Sequence, residues 1–172
     1  MNARIRLAAT ALAAGTALTL SGCGSADTAA VVDGATISED GARTAAQQVN
    51  EAFNPETPLT TGSVVNQLVL APFVLDAVAA DGKPATEAAA REALADVVDP
   101  APETVELMRL NQAFSSMSQE SAQGALEAMQ EADITVSPRY GTFNATDGTL
   151  KAATPNWLVP ATAEATDETQ QQ

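Results

Sequence analysis

The period of the apolar positions changes along the chain, and the changes outline its elements. Residues 29–37 read Ala-Ala-Val-Val-Asp-Gly-Ala-Thr-Ile, two β-prone runs around Asp33-Gly34. Asp-Gly is the pair that favours a tight type I′ turn, so this stretch predicts a hairpin. Ser38 follows as a helix N-cap, with Glu39 and Asp40 placed to meet the positive end of the helix dipole. Ala42, Ala45, Ala46, Val49, Ala52 and Phe53 then recur at helical spacing and predict a first helix, which Asn54-Pro55 ends. Residues 55–62 carry two prolines and read as a loop.

Residues 63–81 form the most apolar stretch after the N-terminal segment, interrupted by Gln67 and Asp76 and holding Pro72. Such a proline kinks or breaks a helix, and one continuous kinked helix is the favoured reading over two short ones. Its apolar residues lie on every side, which predicts the central, most buried helix. Gly82 and Pro84 stop it. Thr86 caps a third helix with Ala90, Ala93, Leu94, Val97 and Val98 on its face, and residues 99–102 (Asp-Pro-Ala-Pro) break it. Residues 103–117 predict a fourth helix, with Leu107, Leu110, Phe114 and Met117 on one stripe. Residues 119–133 predict a fifth, with Ala122, Ala125, Leu126 and Met129 in register. Ile134-Thr135-Val136 is a short strand. The β signals thus stand at the two ends of the helical body, and the first strand is expected to pair with Ile134–Val136. The expected core side chains are chiefly Leu68, Phe73, Leu94, Leu110 and Phe114. The fold class is mainly α: an Ala-rich body of about five helices, closed by a small β element joining its N- and C-terminal segments. Residues 144–172 are rich in Pro, Thr, Ala and acid, and read as a flexible acidic tail.

Composition narrows the function. Alanine supplies 37 of 172 residues, so helices approach closely but gain little burial per residue. There is no histidine, which removes His-based triads and the usual zinc sites, and the single cysteine removes internal disulfides and Cys-x-x-Cys chemistry. A net charge of −14 is the wrong sign for phosphate contacts, so no nucleic-acid partner is expected.

The first residues state an address. Arg4 and Arg6 precede an uncharged, apolar run over residues 7–20, the pattern of a secretory signal. Leu20-Ser21-Gly22-Cys23 follows and resembles the bacterial lipobox. That resemblance implies a diacylglycerol on the Cys23 sulfur and cleavage between Gly22 and Cys23. The signal peptide would then be residues 1–22 and a short polar tether residues 23–28. The alternative is an ordinary signal peptide cleaved at a small-x-small site, which Gly24-Ser25-Ala26 offers, but the lipobox also accounts for the position of the sole cysteine. Two or three acyl chains anchor stably where one does not. The expected location is the extracytoplasmic face of the cell membrane, with the bilayer as partner through acylated Cys23. The acidic body is repelled by an acidic lipid surface and is held off it.

A second resemblance rests on both ends of the body. Residues 30–38 (Ala-Val-Val-Asp-Gly-Ala-Thr-Ile-Ser) are similar to the start of SurA-like and PrsA-like extracytoplasmic foldases. Residues 136–143, with Arg139-Tyr140-Gly141, resemble the segment that closes the chaperone domain in bacterial lipoproteins of this type. The resemblance covers residues 29–143. It implies pairing of the first and last segments as strands, with Asp33-Gly34 at the turn and Arg139, Tyr140 and Gly141 continuing the closing strand. It also implies binding of unfolded or secreted protein clients. Catalytic members carry parvulin-type isomerase modules with active-site histidines. This chain has neither the histidines nor the length after Phe143, so isomerase activity is not implied.

Other chemistry finds little support. No nucleophile elbow, Ser-x-x-Lys, P-loop or complete dinucleotide fingerprint occurs. Residues 144–148 (Asn-Ala-Thr-Asp-Gly) gather oxygen ligands near a glycine but lack the spacing and closing Glu of a calcium loop, and read as a polar turn. The pairs Glu39/Asp40 and Glu103/Glu106 read as helix-start acids and a solvated face rather than acid–base partners. Met108, Met117 and Met129 read as core. Arg139 is expected to pair with a helix carboxylate. The sequence therefore points to a non-enzymatic, chaperone-like lipoprotein without a cofactor. A structural or adaptor lipoprotein of a membrane complex is the alternative, and a solute-binding or enzymatic lipoprotein the weaker one. An open apolar groove between helices would favour client binding over the adaptor role.

Overall fold

The computed structural model describes residues 27–152. Cys23, Gly22 and the rest of the N-terminal segment lie outside the described residues, as do residues 153–172 of the expected tail. Ten elements follow in order: β1 (Thr28–Val32), β2 (Ala35–Ser38), α1 (Glu39–Phe53), α2 (Thr61–Ala80), α3 (Glu87–Ala93), α4 (Pro102–Ser116), α5 (Gln119–Glu131), β3 (Ile134–Val136), β4 (Thr142–Asn144) and β5 (Thr149–Lys151).

The fold is mainly α, with five helices closed by strands from both ends of the described chain. β1 is the middle strand of an antiparallel sheet ordered β2-β1-β3. Val32 stands opposite Ala35 and Val31 opposite Thr36, and on the other edge Ala30 stands opposite Val136 and Val32 opposite Ile134. Asp33 and Gly34 take φ of 48° and 84° at the turn, the left-handed values that a two-residue hairpin of this hand requires.

Side-chain caps set most of the helix starts. Ser38, Thr60, Thr86 and Ser118 each accept a hydrogen bond from the amide three residues on. Thr60 and Ser118 do so in reciprocal capping boxes with Ser63 and Ser121. α2 runs unbroken through Pro72, which is exposed there. It packs against α1, α4 and α5 and touches β1 and β2. Val64, Val65, Val69 and Val78 are wholly buried in it. Each such side chain contributes about 1.5–3 kcal/mol relative to exposure. By length and composition alone α2 is apolar enough to cross a membrane; in this fold it is the core helix. Alanines let its neighbours approach: Ala42, Ala45 and Ala46 on α1, Ala113 on α4 and Ala125 on α5 are all buried.

Four expectations need correction. The third helix stops at Ala93 instead of continuing through Val98. Asp99 adopts φ 51° ahead of Pro100, and residues 94–98 close in shorter turns. Only Ala90 and Leu94 of its expected face are buried. They join Val105 of α4 in a small separate cluster, while Val98 is 90% exposed. Phe114 is 44% exposed, because Ala113 holds the buried position in that turn of α4. Residues 139–141 do not continue the closing strand. Pro138 has no amide to donate, and the chain turns instead, with the Tyr140 amide on the Ser137 carbonyl at 2.9 Å and that of Gly141 on Pro138 at 3.2 Å. Finally, residues 144–151, which the sequence assigned to a flexible tail, complete the β4–β5 hairpin.

Candidate functional site

The β1–β2 hairpin, α2 and α4 enclose an open groove of about 520 Å³. The hairpin contributes Val32, Asp33, Ala35, Thr36 and Ile37. Leu68 and Pro72 come from successive turns of α2, and Pro102, Glu103 and Glu106 from the start of α4. The Pro72 ring faces the groove rather than a packed neighbour, on the exposed side of the helix. Consecutive residues of a strand point to opposite faces. A cavity that touches Ala35, Thr36 and Ile37 in a row therefore reaches the edge of β2, and through Val32 of the middle strand it also extends over the face of the hairpin. That edge has no strand partner among the described residues.

The groove is apolar at its floor and acidic at its rim. Glu103 accepts a long hydrogen bond from Ser38 Oγ, at 3.4 Å, and has no cationic partner among the described residues. Glu106 pairs with Arg109 at 2.7 Å, and Arg109 also donates to the Ala85 carbonyl at 3.1 Å. The Asp33 carboxylate accepts the Asp133 amide at 2.9 Å. A second cavity of about 370 Å³ lies between α1, residues 55–59, α2 and α4; Phe53, 49% exposed, stands at it with Met108.

α4 starts at Ala101-Pro102 with no side-chain cap of its own. Gln48 of α1 supplies one. Its Oε1 accepts from the Ala101 amide at 3.0 Å and from Thr104 Oγ1 at 2.5 Å, and its Nε2 donates to the Asp99 carbonyl at 3.2 Å. Thr104 is wholly buried, so this bond satisfies a hydroxyl that water cannot reach. No local signal in the sequence marks Gln48 for this task.

The residues singled out from the sequence fall in separate places. Asp33 and Gly34 form the hairpin turn at the groove. Arg139 pairs with Glu39, the first residue of α1, one hundred positions away. Tyr140 packs on the core and against Gly62 of α2. Burial, and then the nearby Glu39 carboxylate, push its phenol above the usual range. Gly141 takes φ 113°, and any side chain there would run into the Lys151 carbonyl. Two side-chain oxygens of residues 144–148 bond within the turn: Asn144 Oδ1 accepts from the Thr146 amide, and Asp147 Oδ1 from the amide and hydroxyl of Thr149. The Thr149 bonds hold the Asp147 carboxyl below the usual carboxylate range. Gly148 lets that turn seat on Leu70 and Met129. Glu39/Asp40 and Glu103/Glu106 are engaged with Arg139, Arg43, Ser38 and Arg109. Met129 is buried, and Met108 and Met117 pack half-buried against the core. No group of three or more His, Cys, Asp or Glu suited to a metal occurs among the described residues.

Comparison with family models, with curated proteins and with solved structures finds no match to this chain.

Proposed function

We propose that the chain is a lipid-anchored extracytoplasmic protein whose helical body binds unfolded or extended segments of other proteins and catalyses no reaction. The observation that carries this reading is the open groove bounded by the β1–β2 hairpin, α2 and α4, with Leu68, Ile37 and Pro72 on its surface. An apolar concavity with a few polar groups at its rim is the usual form of a binding site. The resemblance of residues 30–38 and 136–143 to the chaperone domain of SurA-like and PrsA-like foldases supports the same reading. So does the lipobox-like Leu20-Ser21-Gly22-Cys23, which would hold the groove at the site where secreted chains emerge.

The test is suppression of aggregation of unfolded client proteins, with the chain in excess. The chain should slow aggregation, and Ala35→Arg or Thr36→Arg should abolish the effect. Both positions are exposed on β2, so the arginines fill the groove without entering the core. Failure with several unrelated clients would move the reading to an adaptor lipoprotein of a membrane complex.

A further inference from the structure

We infer that the groove takes its occupant as an added β-strand: an extended peptide segment with alternating apolar and basic residues, paired along the free edge of β2. The inference rests on the proposed protein-binding role and names the chemistry of its partner. Val32 and Ala35 flank the two-residue turn and form the hydrogen-bonded pair of the hairpin. Alternation along the strand then turns the amide and carbonyl of Thr36 outward, away from β1. The groove runs along that edge, touching Ala35, Thr36 and Ile37 in succession. An outward, unpaired edge beside an apolar cavity is the arrangement that strand addition uses, with backbone bonds giving affinity and alternate side chains giving selectivity.

Charge selects the partner. Asp33, Glu103 and Glu106 line the groove, Arg109 neutralises only Glu106, and neither Asp33 nor Glu103 has a cationic partner among the described residues. The whole chain is acidic, with a net charge of −14, which adds long-range attraction for a basic segment. In an extended peptide, residues two apart share a face. One face would set apolar side chains against Leu68 and Pro72, and lysines or arginines flanking them would meet the carboxylates.

The experiment measures binding of fluorescent nine-residue peptides to the full-length chain in detergent micelles. The probes are a Lys/Val alternating peptide, its Glu/Val counterpart, and the Lys/Val peptide with alternate backbone amides N-methylated in each of the two registers. The Lys/Val peptide should bind, and its affinity should fall as salt rises. One N-methylated register should bind about five- to tenfold more weakly, the cost of the lost bond to the Thr36 carbonyl and of a methyl group set against the edge. The Glu/Val peptide and the Glu103→Lys variant should each show a loss of about tenfold or more. The Glu103 carboxylate packs against Ser38 and Gly41 at the start of α1, so the circular dichroism and melting temperature of this variant are measured beside its binding. Thr36→Pro, which removes the outward amide at an edge where proline is tolerated, should weaken binding at unchanged circular dichroism.

Equal binding of both N-methylated peptides would overturn the strand-addition geometry. Equal binding of the Glu/Val peptide would overturn the charge selection. A rise in molecular mass with concentration that competes with the peptide would mark a second copy of the chain as the occupant, and would also overturn it. If no peptide binds while aggregation is still suppressed, this inference fails and the protein-binding role stands. If the peptides bind but no client is protected, the site stands and the chaperone-like role fails.

Discussion

Asp33 and Asp133, one hundred residues apart, hold each other by reciprocal hydrogen bonds. The Asp33 amide donates to the Asp133 carbonyl at 2.9 Å, and the Asp133 amide donates to the Asp33 carboxylate at 2.9 Å. The pair sits where the β1–β2 turn meets the entry to β3, so one residue both shapes the hairpin and latches the closing strand. The ion pair of Arg139 with Glu39 ties the segment after β3 to the start of α1, so the closure is held on both sides of that strand. Joining chain ends this distant costs entropy that grows only logarithmically with loop length, and burial by the intervening helices offsets it.

Asp33→Ala should destabilise the chain by about 1–2 kcal/mol, from the lost acceptor and from the left-handed backbone that alanine resists. Asp33→Asn keeps both properties and should change stability by less than about 0.5 kcal/mol. Removing residues 134–172 should lower the melting temperature of the whole body. Urea unfolding and thermal melts check all three, and a truncated chain that melts unchanged would refute the closure.

Gln48→Ala should cost about 1–3 kcal/mol, because it strands the buried Thr104 hydroxyl and uncaps α4 together. Thr104→Val in the Gln48→Ala background should recover part of the loss, since the stranded hydroxyl is then gone. The check is a double-mutant cycle in urea.

Gly141→Ala should destabilise by about 1–3 kcal/mol, since it combines a positive φ with a backbone neighbour that cannot move aside. Loss should appear first as faster amide exchange in β4 and β5, with α1 and α2 protected as before. Uniform exchange in the variant would contradict the assignment.

Asp81, at the C-terminal end of α2, accepts from Ser118 Oγ at 2.8 Å and from Ser121 Oγ, and so joins α2 to the start of α5. The Ser121 bond first, then the Ser118 bond, hold its carboxyl below the usual range. A depressed folded-state pKa means that its contribution is present above the unfolded value of about 4 and is lost as pH falls through the folded value. Stability should therefore drop on acidification below about pH 4, and Asp81→Asn should remove that part of the drop. Melting temperatures of both chains from pH 7 to pH 2.5 measure it.

Cys23→Ala should leave the chain soluble, or leave its signal segment uncleaved. Membrane fractionation and intact-mass measurement check this. An unmodified Cys23 in a membrane extract, with cleavage elsewhere, would sink the lipid-anchor proposal.

The sequence by itself determined what neighbours in the chain decide. Asp33-Gly34 selects its turn through backbone conformations that few residues accept. Ser38 and Thr86 start helices through bonds to amides three residues on, and the apolar spacing of residues 42–49 marks one buried face. The pairing of β1 with β3 was also legible, because β-prone runs stood at both ends of a helical body. The tertiary structure decided what depends on which faces meet. Phe114 follows the same helical spacing as Leu107 and Leu110, yet it stays exposed because Ala113 is the residue turned inward. α3 stops early because, among its own residues, only Ala90 finds a buried place against α4. The cap on α4 comes from Gln48, some fifty residues upstream, and no spacing rule links the two. The groove draws on three separate stretches of chain, and it lies where β2, the edge of the sheet, meets α2 and the start of α4. Turn and cap energies act over three or four residues and can be read in order along the chain, whereas a concavity is a property of surfaces brought together only by folding.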